Sequence, residues 1–146
     1  MLHVPNSQDR RRTPSVRVLL ADDHSLYAET LEMLLSLDDR IEVVGRAASG
    51  AEAIALTVGL RPDVVLMDVH MPCLNGITAT RTLNSLLPGI RVVMLSSSAA
   101  VEDIERARDA GACAYLTKDA EGPTIAEEVV RACSSDRRSL NHLCAA

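Results

Sequence analysis

The chain has no tryptophan, no phenylalanine and only two tyrosines, Tyr27 and Tyr115, among its 146 residues. Its core must therefore be aliphatic. It has no apolar run near the roughly 20 residues that cross a bilayer as a helix. Residues 1–15 carry Arg10, Arg11 and Arg12 but no apolar segment, so they do not read as a secretory leader. The four cysteines, Cys73, Cys113, Cys133 and Cys144, show no metal-ligand spacing. Cys113 and Cys133 fall in apolar patterns and read as buried thiols of a cytoplasmic protein. Positive charge is not in excess: 15 Lys and Arg against 20 Asp and Glu leave −5. That balance argues against nucleic-acid binding through net charge. A glycine-rich turn is missing too, since Asp22-Asp23-His24-Ser25 follows the first apolar run, which argues against a dinucleotide-binding domain. What the chain does have is 47% apolar residues, enough for a packed core rather than disorder. Its length suits one domain.

The most informative stretch is Asp63 to Pro72, DVVLMDVHMP. Val64 to Met67 is too short for a helix and rich in β-branched residues. It reads as a strand buried on both faces, as in the middle of a parallel sheet. The strand ends in a carboxylate, Asp68, and Pro72, Asn75 and Gly76 then mark a loop. Open α/β sheets place their chemistry at the C-terminal ends of central strands. The plainer reading makes Asp68 a cap for the next helix.

The remaining segments alternate. Residues 1–15 read as a disordered lead-in, with Pro5 and Pro14. Val16 to Ala21 is a first strand, followed by Asp22-Asp23. Ser25 to Leu37 reads as a helix with Tyr27, Leu31, Leu34 and Leu35 as its buried stripe. Ile41 to Ala47 is a second strand. Ser49-Gly-Ala-Glu52 is a capping box opening a helix to about Leu60. Gly76 to about Leu87 is helical and stopped by Pro88-Gly89. Arg91 to Leu95 is a strand ending in three serines. Val101 to Ala110 is a helix closed by Gly111. Ala112 to Thr117 is a fifth strand ending at Lys118. Thr124-Ile-Ala-Glu127 reads as a second capping box, opening a helix whose stripe is Ile125, Val129, Ala132 and Cys133. Residues 135–146 read as a polar tail or the start of a linker.

Five strands alternating with five helices predict an α/β fold, a parallel sheet with helices on both faces. Its strand ends then converge on one rim, bringing together Asp22, Asp23, Asp68, Ser96 and Lys118. Each residue alone has a plain reading as a turn, a helix entry or a solvated charge. Together they have specific chemistry. Crowded carboxylates repel and call for a cation. Hard oxygen ligands suit Mg²⁺, which also binds phosphate oxygens. A lysine is a compact charge for a phosphoryl group and a hydroxyl can donate to it. These are parts for phosphoryl transfer onto an aspartate.

Four blocks carry a resemblance: VRVLLADDHSLY (Val16 to Tyr27), VVLMDVHMPCLNG (Val64 to Gly76), VVMLSSS (Val92 to Ser98) and GACAYLTKDA (Gly111 to Ala120). The chain resembles the receiver domain of bacterial two-component response regulators over about residues 16–134. ADDH and YLTKDA are similar to the NarL/FixJ-type class, whose full-length members carry a helix-turn-helix DNA-binding domain. The resemblance implies a flavodoxin-like sheet in strand order 2-1-3-4-5. It implies that Asp68 takes a phosphoryl group from a sensor histidine kinase. Asp22, Asp23, Asp68 and the backbone carbonyl of His70 would hold Mg²⁺. Ser96 would swing toward the phosphoryl group, Lys118 would pair with it, and Tyr115 would rotate inward. The face of the fourth helix, fifth strand and fifth helix would then change, as a dimerisation or partner surface. Beyond self-phosphorylation and autodephosphorylation no enzyme activity is implied.

Two departures qualify that reading. Asp119 follows the lysine where many receivers have a cis proline. Only 146 − 134 = 12 residues follow the last helix, too few for a helix-turn-helix domain. The expectation is a receiver from a longer transcription regulator, the alternative a stand-alone or degenerate receiver acting as an interaction module. DNA contact would belong to an output domain not present in this chain. A haloacid dehalogenase-type enzyme also phosphorylates an aspartate at a strand end, but needs a second acid where His70 stands. In an extended chain His70 shares the side of Asp68. A histidine there would set the phosphoryl lifetime and make it depend on pH between about 6 and 8, unless it is only a solvated loop residue.

Overall fold

The computed structural model describes residues 15–134. Residues 1–14 and 135–146, where the sequence suggests a lead-in and a tail, lie outside the described residues. The elements alternate as expected. The strands are β1 (Val16–Ala21), β2 (Ile41–Ala47), β3 (Val64–Asp68), β4 (Arg91–Ser96) and β5 (Ala114–Thr117). The helices are α1 (Ser25–Ser36), α2 (Gly50–Leu60), α3 (Gly76–Leu86), α4 (Val101–Ala110) and α5 (Gly122–Ser134).

All strands pair in parallel, in the order β2-β1-β3-β4-β5. β3 is central and every one of its residues is buried, which is why its sequence is a continuous apolar run. The sheet has an aliphatic layer on each face. On one, Leu19, Val65, Met67, Val92 and Met94 pack against Ala53 of α2, Leu83 of α3 and Ala107 of α4. On the other, Val18, Leu20, Leu66, Val93 and Leu95 pack against Leu31 and Leu35 of α1 and Val129 of α5. Tyr115 is fully buried and is the one aromatic ring in either layer's fully buried set among the described residues.

The register aligns the rim. Ala21 lies beside Met67, Asp68 beside Leu95, and Ser96 beside Thr117. The residues that follow β1, β3, β4 and β5 therefore emerge at one edge. Asn75 caps α3 by accepting the Thr78 N–H at 2.9 Å. At α2 the Ser49 hydroxyl accepts the Glu52 N–H at 3.1 Å. The return bond from Glu52 goes to the Ala48 N–H, one residue earlier than a capping box places it.

Several details differ from the sequence reading. β5 begins at Ala114 rather than Ala112, because the Ala112 N–H still closes the end of α4 by bonding the Ala107 carbonyl at 3.0 Å. The buried line of α1 is Ala28, Leu31 and Leu35, while Leu34 is 42% exposed and Tyr27 half-buried. The helix is rotated by about one residue, because Leu34 meets the start of α5 at Gly122 rather than the sheet. Thr124 does not cap α5. The helix begins at Gly122, and the Ile125 N–H already reaches the Glu121 carbonyl at 3.0 Å, with Pro123 fitting the first turn. Cys113 and Cys133 are half-buried rather than buried. Each flanks the layer under α1 and α5, and burial pushes the Cys133 thiol up. Cys144 lies outside the described residues.

Candidate functional site

β1, β3 and β5 each deliver one charged side chain to the rim. Asp22 follows β1 and is 8% exposed; Asp68 ends β3 and is 3% exposed. Lys118 follows β5, held there by its N–H on the Ser96 carbonyl at 2.8 Å. Its ammonium bridges the two carboxylates, 2.7 Å from Asp22 Oδ2 and 3.2 Å from Asp68 Oδ2. Asp68 Oδ1 faces the other way and accepts the His70 N–H at 3.3 Å. Asp23 lies beside Asp22 with an exposed carboxylate.

The electrostatics follow from this crowding. Burial, and then the charge of Asp22, push the Asp68 carboxyl up. Lys118 and the His70 N–H pull it down without offsetting those effects. For Lys118 burial disfavours the charged form, yet Asp22 and Asp68 outweigh it and raise the ammonium's pKa. The lysine also sits 4.9 Å from the centre of the Tyr27 ring. Burial, with Asp22 and Asp68 adding to it, pushes that phenol up to about 12. Its buried hydroxyl has no hydrogen-bond partner among the described residues.

Ser96 is fully buried at the end of β4, and its Oγ accepts the Ser98 N–H at 3.1 Å. The Tyr115 ring is already inside, its hydroxyl donating to the Ser98 carbonyl at 2.7 Å. Burial pushes this phenol up as well. Side chains do alternate beyond β3: Val69 and Met71 are buried and His70 is exposed. The His70 ring, however, pairs with a residue of α4, Nε2 lying 3.7 Å from Asp103 Oδ2. Asp103 is itself buried and bonds Arg106 at 3.0 Å.

Sequence reasoning singled out neither Asp103 nor Tyr27 for the site, nor His24. His24 is the residue after the acidic pair, and one donor atom each from Asp22, Asp23, His24 and Asp68 lie within 4.8 Å of one another. Its place directly after Asp22-Asp23 was the signal available. Two donors bound to one small cation at about 2.1 Å each lie at most about 4.2 Å apart. The widest pair of donors therefore has to close by at least about 0.6 Å before the cluster holds one cation. Three carboxylates supply the hard oxygens such an ion takes. No helix among the described residues is long and apolar enough to cross a membrane.

The comparisons with known proteins agree with this geometry. Residues 18–130 match the response regulator receiver domain family. The response regulator protein VraR of Staphylococcus aureus is 40% identical over 115 residues, 79% of this chain and 55% of that protein. The chain spans about half the length of the curated relatives it matches. The signal receiver domain of NarL from Mycobacterium tuberculosis superposes with a TM-score of 0.81 at 32% identity, covering 84% of this chain and 99% of that one. The response regulator domain of Thermotoga maritima CheB gives 0.77 at 31% identity, covering 84% and 98%. A rim of acids and one lysine on this sheet, with a family match over most of its length, places the chain among the response regulator receiver domains, of the NarL/FixJ type.

Proposed function

We propose that Asp68 accepts a phosphoryl group from the phosphohistidine of a sensor histidine kinase, and that the acyl phosphate switches the α4–β5–α5 face. One observation carries the proposal: a buried aspartate at the end of the central strand shares a lysine with a second buried aspartate, at 3.2 and 2.7 Å. Attack by an Asp68 oxygen forms the new P–O bond and breaks the P–N bond to the kinase imidazole, which leaves with the electron pair. The product carries more negative charge than the carboxylate it replaces. Lys118 is placed to pair with it, and the Ser96 hydroxyl ends the adjacent strand. Asp22, Asp23, Asp68 and the His70 carbonyl would hold Mg²⁺, which supplies charge neutralisation at the phosphoryl oxygens.

Tyr115 links this chemistry to the surface. Its hydroxyl holds the Ser98 carbonyl, two residues beyond Ser96. A displacement of Ser96 toward the phosphoryl group therefore pulls on the loop that enters α4. The face so changed serves pairing with a second copy, and control of transcription passes through a helix-turn-helix domain outside this chain. The domain runs over residues 16–134, and its place of action is the cytoplasm, where kinase and DNA meet.

Acetyl phosphate with Mg²⁺ should add one acid- and base-labile phosphoryl group, read by intact mass, and chelation of the metal should prevent it. Asp23→Asn should weaken Mg²⁺ binding and slow labelling about tenfold or more, with the circular dichroism unchanged. Unchanged Mg²⁺ affinity in both Asp22→Asn and Asp23→Asn would remove the metal assignment. Light scattering of the labelled sample reads pairing. His70→Ala should alter the lifetime of the phosphoryl group, and its dependence on pH, without preventing labelling. Identical decay curves at every pH would leave His70 as a loop residue.

A further inference from the structure

We propose that His24 adds a nitrogen ligand to the acidic cluster, which raises the site's affinity for first-row transition ions such as Ni²⁺ or Co²⁺ relative to Mg²⁺ beyond what the carboxylates alone give. The inference rests on the metal reading above and concerns which ion the site selects.

Three observations converge on His24. It occupies the N-cap position of α1, yet its side chain makes no capping hydrogen bond. Residues at that position ordinarily turn a side-chain oxygen onto the first turn. Here the ring turns the other way, into the rim. Its Nδ1 lies 3.3 Å from Asp22 Oδ1 and 3.6 Å from Asp23 Oδ1, and 3.5 Å from the Lys118 ammonium. A ring nitrogen of His24 also belongs to the group of four donors that lie within 4.8 Å of one another.

The division of Asp22 between its neighbours makes room for this role. Oδ2 is taken by Lys118 at 2.7 Å. Oδ1 accepts the backbone N–H of His24 at 2.8 Å and lies on the side of the ring. That bond fixes residue 24 against the acid that would share the ion. The side chain is 66% exposed, so the ring can reorient onto a cation without breaking core packing.

Ligand chemistry then decides which cation gains. Imidazole nitrogen is a strong ligand for Co²⁺, Ni²⁺, Cu²⁺ and Zn²⁺ and a poor one for Mg²⁺, which keeps oxygen ligands and waters. Carboxylates alone already favour transition ions through the general affinity order. The share due to His24 is therefore read in the change of the ratio, not in the ratio itself.

Calorimetric titrations of the whole chain with Mg²⁺ and with Ni²⁺, and the visible absorption of bound Co²⁺, test the proposal. His24→Ala should lower the Ni²⁺-to-Mg²⁺ affinity ratio at least tenfold and alter the Co²⁺ bands. His24→Gln, which keeps a polar side chain of similar reach, should do the same. Asp23→Asn should weaken both ions. A ratio unchanged in both His24 variants, with Asp23→Asn still weakening Mg²⁺, overturns the role of His24 and leaves the Mg²⁺ site standing. Mg²⁺ affinity untouched by Asp23→Asn overturns the metal reading itself. Ni²⁺ binding that survives His24→Ala and Asp23→Asn alike places the nitrogen donor elsewhere on the chain, and the proposal falls.

Discussion

Asp68→Asn should abolish labelling by acetyl phosphate and Mg²⁺ while making the protein more stable. The two effects have one origin. The carboxylate is buried at the end of β3, near Asp22, and both circumstances raise its pKa above the ordinary 3.8. A raised pKa means that the folded state favours the protonated form. The sign follows. Below the ordinary value Asp68 is protonated whether folded or unfolded, and there is no penalty. As pH rises from about 3.8 through the higher folded value, the unfolded chain ionises more readily and the fold loses stability. Above the folded value the penalty is complete.

Asparagine has nearly the same shape and no charge, and Lys118 keeps Asp22 at 2.7 Å. The substitution should raise stability at pH 7 by about 1 kcal/mol, a melting-temperature gain of about 3 °C. The gain should shrink as pH falls toward the ordinary carboxylate range. Intact mass and thermal melts at several pH values read both effects. Labelling of Asp68→Asn equal to wild type would move the phosphoacceptor elsewhere. A melting temperature lower than wild type at pH 7 would show that the carboxylate contributes more to Lys118 than burial costs it.

The rim was legible because its residues obey one rule. Each strand is a short apolar run, and the polar residue that ends it must appear at the same edge once the strands are parallel. β1, β2 and β3 have the limits the sequence suggests. What was not legible depends on rotation and reach. The buried line of α1 differs by about one residue, since apolar spacing on a short helix does not reveal whether Leu34 faces the sheet or α5. A capping-box pattern at Thr124 looks the same whether a helix starts there or two residues earlier. Val69 and Met71 alternate into the core layer beside Met67, while the His70 ring is drawn to Asp103 on a helix over thirty positions later in the chain. The Lys118 bridge to Asp22 likewise required knowing that a lysine after β5, beyond β4 in the sheet, reaches across the rim to the end of β1.

Gly76→Ala should destabilise the fold and, if Asp68 is the residue labelled as proposed, slow labelling with it, because that glycine is pressed against the Asp68 backbone. Gly76 opens α3 and is buried. Its N–H closes the loop by bonding the Val69 carbonyl at 2.8 Å. A Cβ added there would lie 1.9 Å from the Asp68 carbonyl oxygen and 2.9 Å from both the Asp68 carbonyl carbon and Met67 Cγ. In an open helix the same change would stabilise by roughly 1 kcal/mol. Here the nearest atom is backbone, and it cannot yield freely. Asp68 is the last residue of the central strand, in register with Leu95, and its carbonyl lies where that strand meets the loop. Relief needs a displacement of about 1 Å, either of α3 away from the sheet or of the Asp68 peptide, a shift that well-packed structures resist at a cost of about 3 kcal/mol. The melting temperature should fall by about 10 °C. Labelling of the folded fraction should slow about tenfold or more, since an error near 1 Å in a reacting group is costly. Gly59→Ala is the control: it lies near the end of α2 with nothing within 4 Å of its added Cβ, and should be neutral or stabilising by up to about 1 kcal/mol. Thermal melts and labelling rates of the two variants make the comparison. If Gly76→Ala melts and labels like wild type while Gly59→Ala behaves as expected, the Asp68 backbone is free to move and the glycine does not hold Asp68 in place.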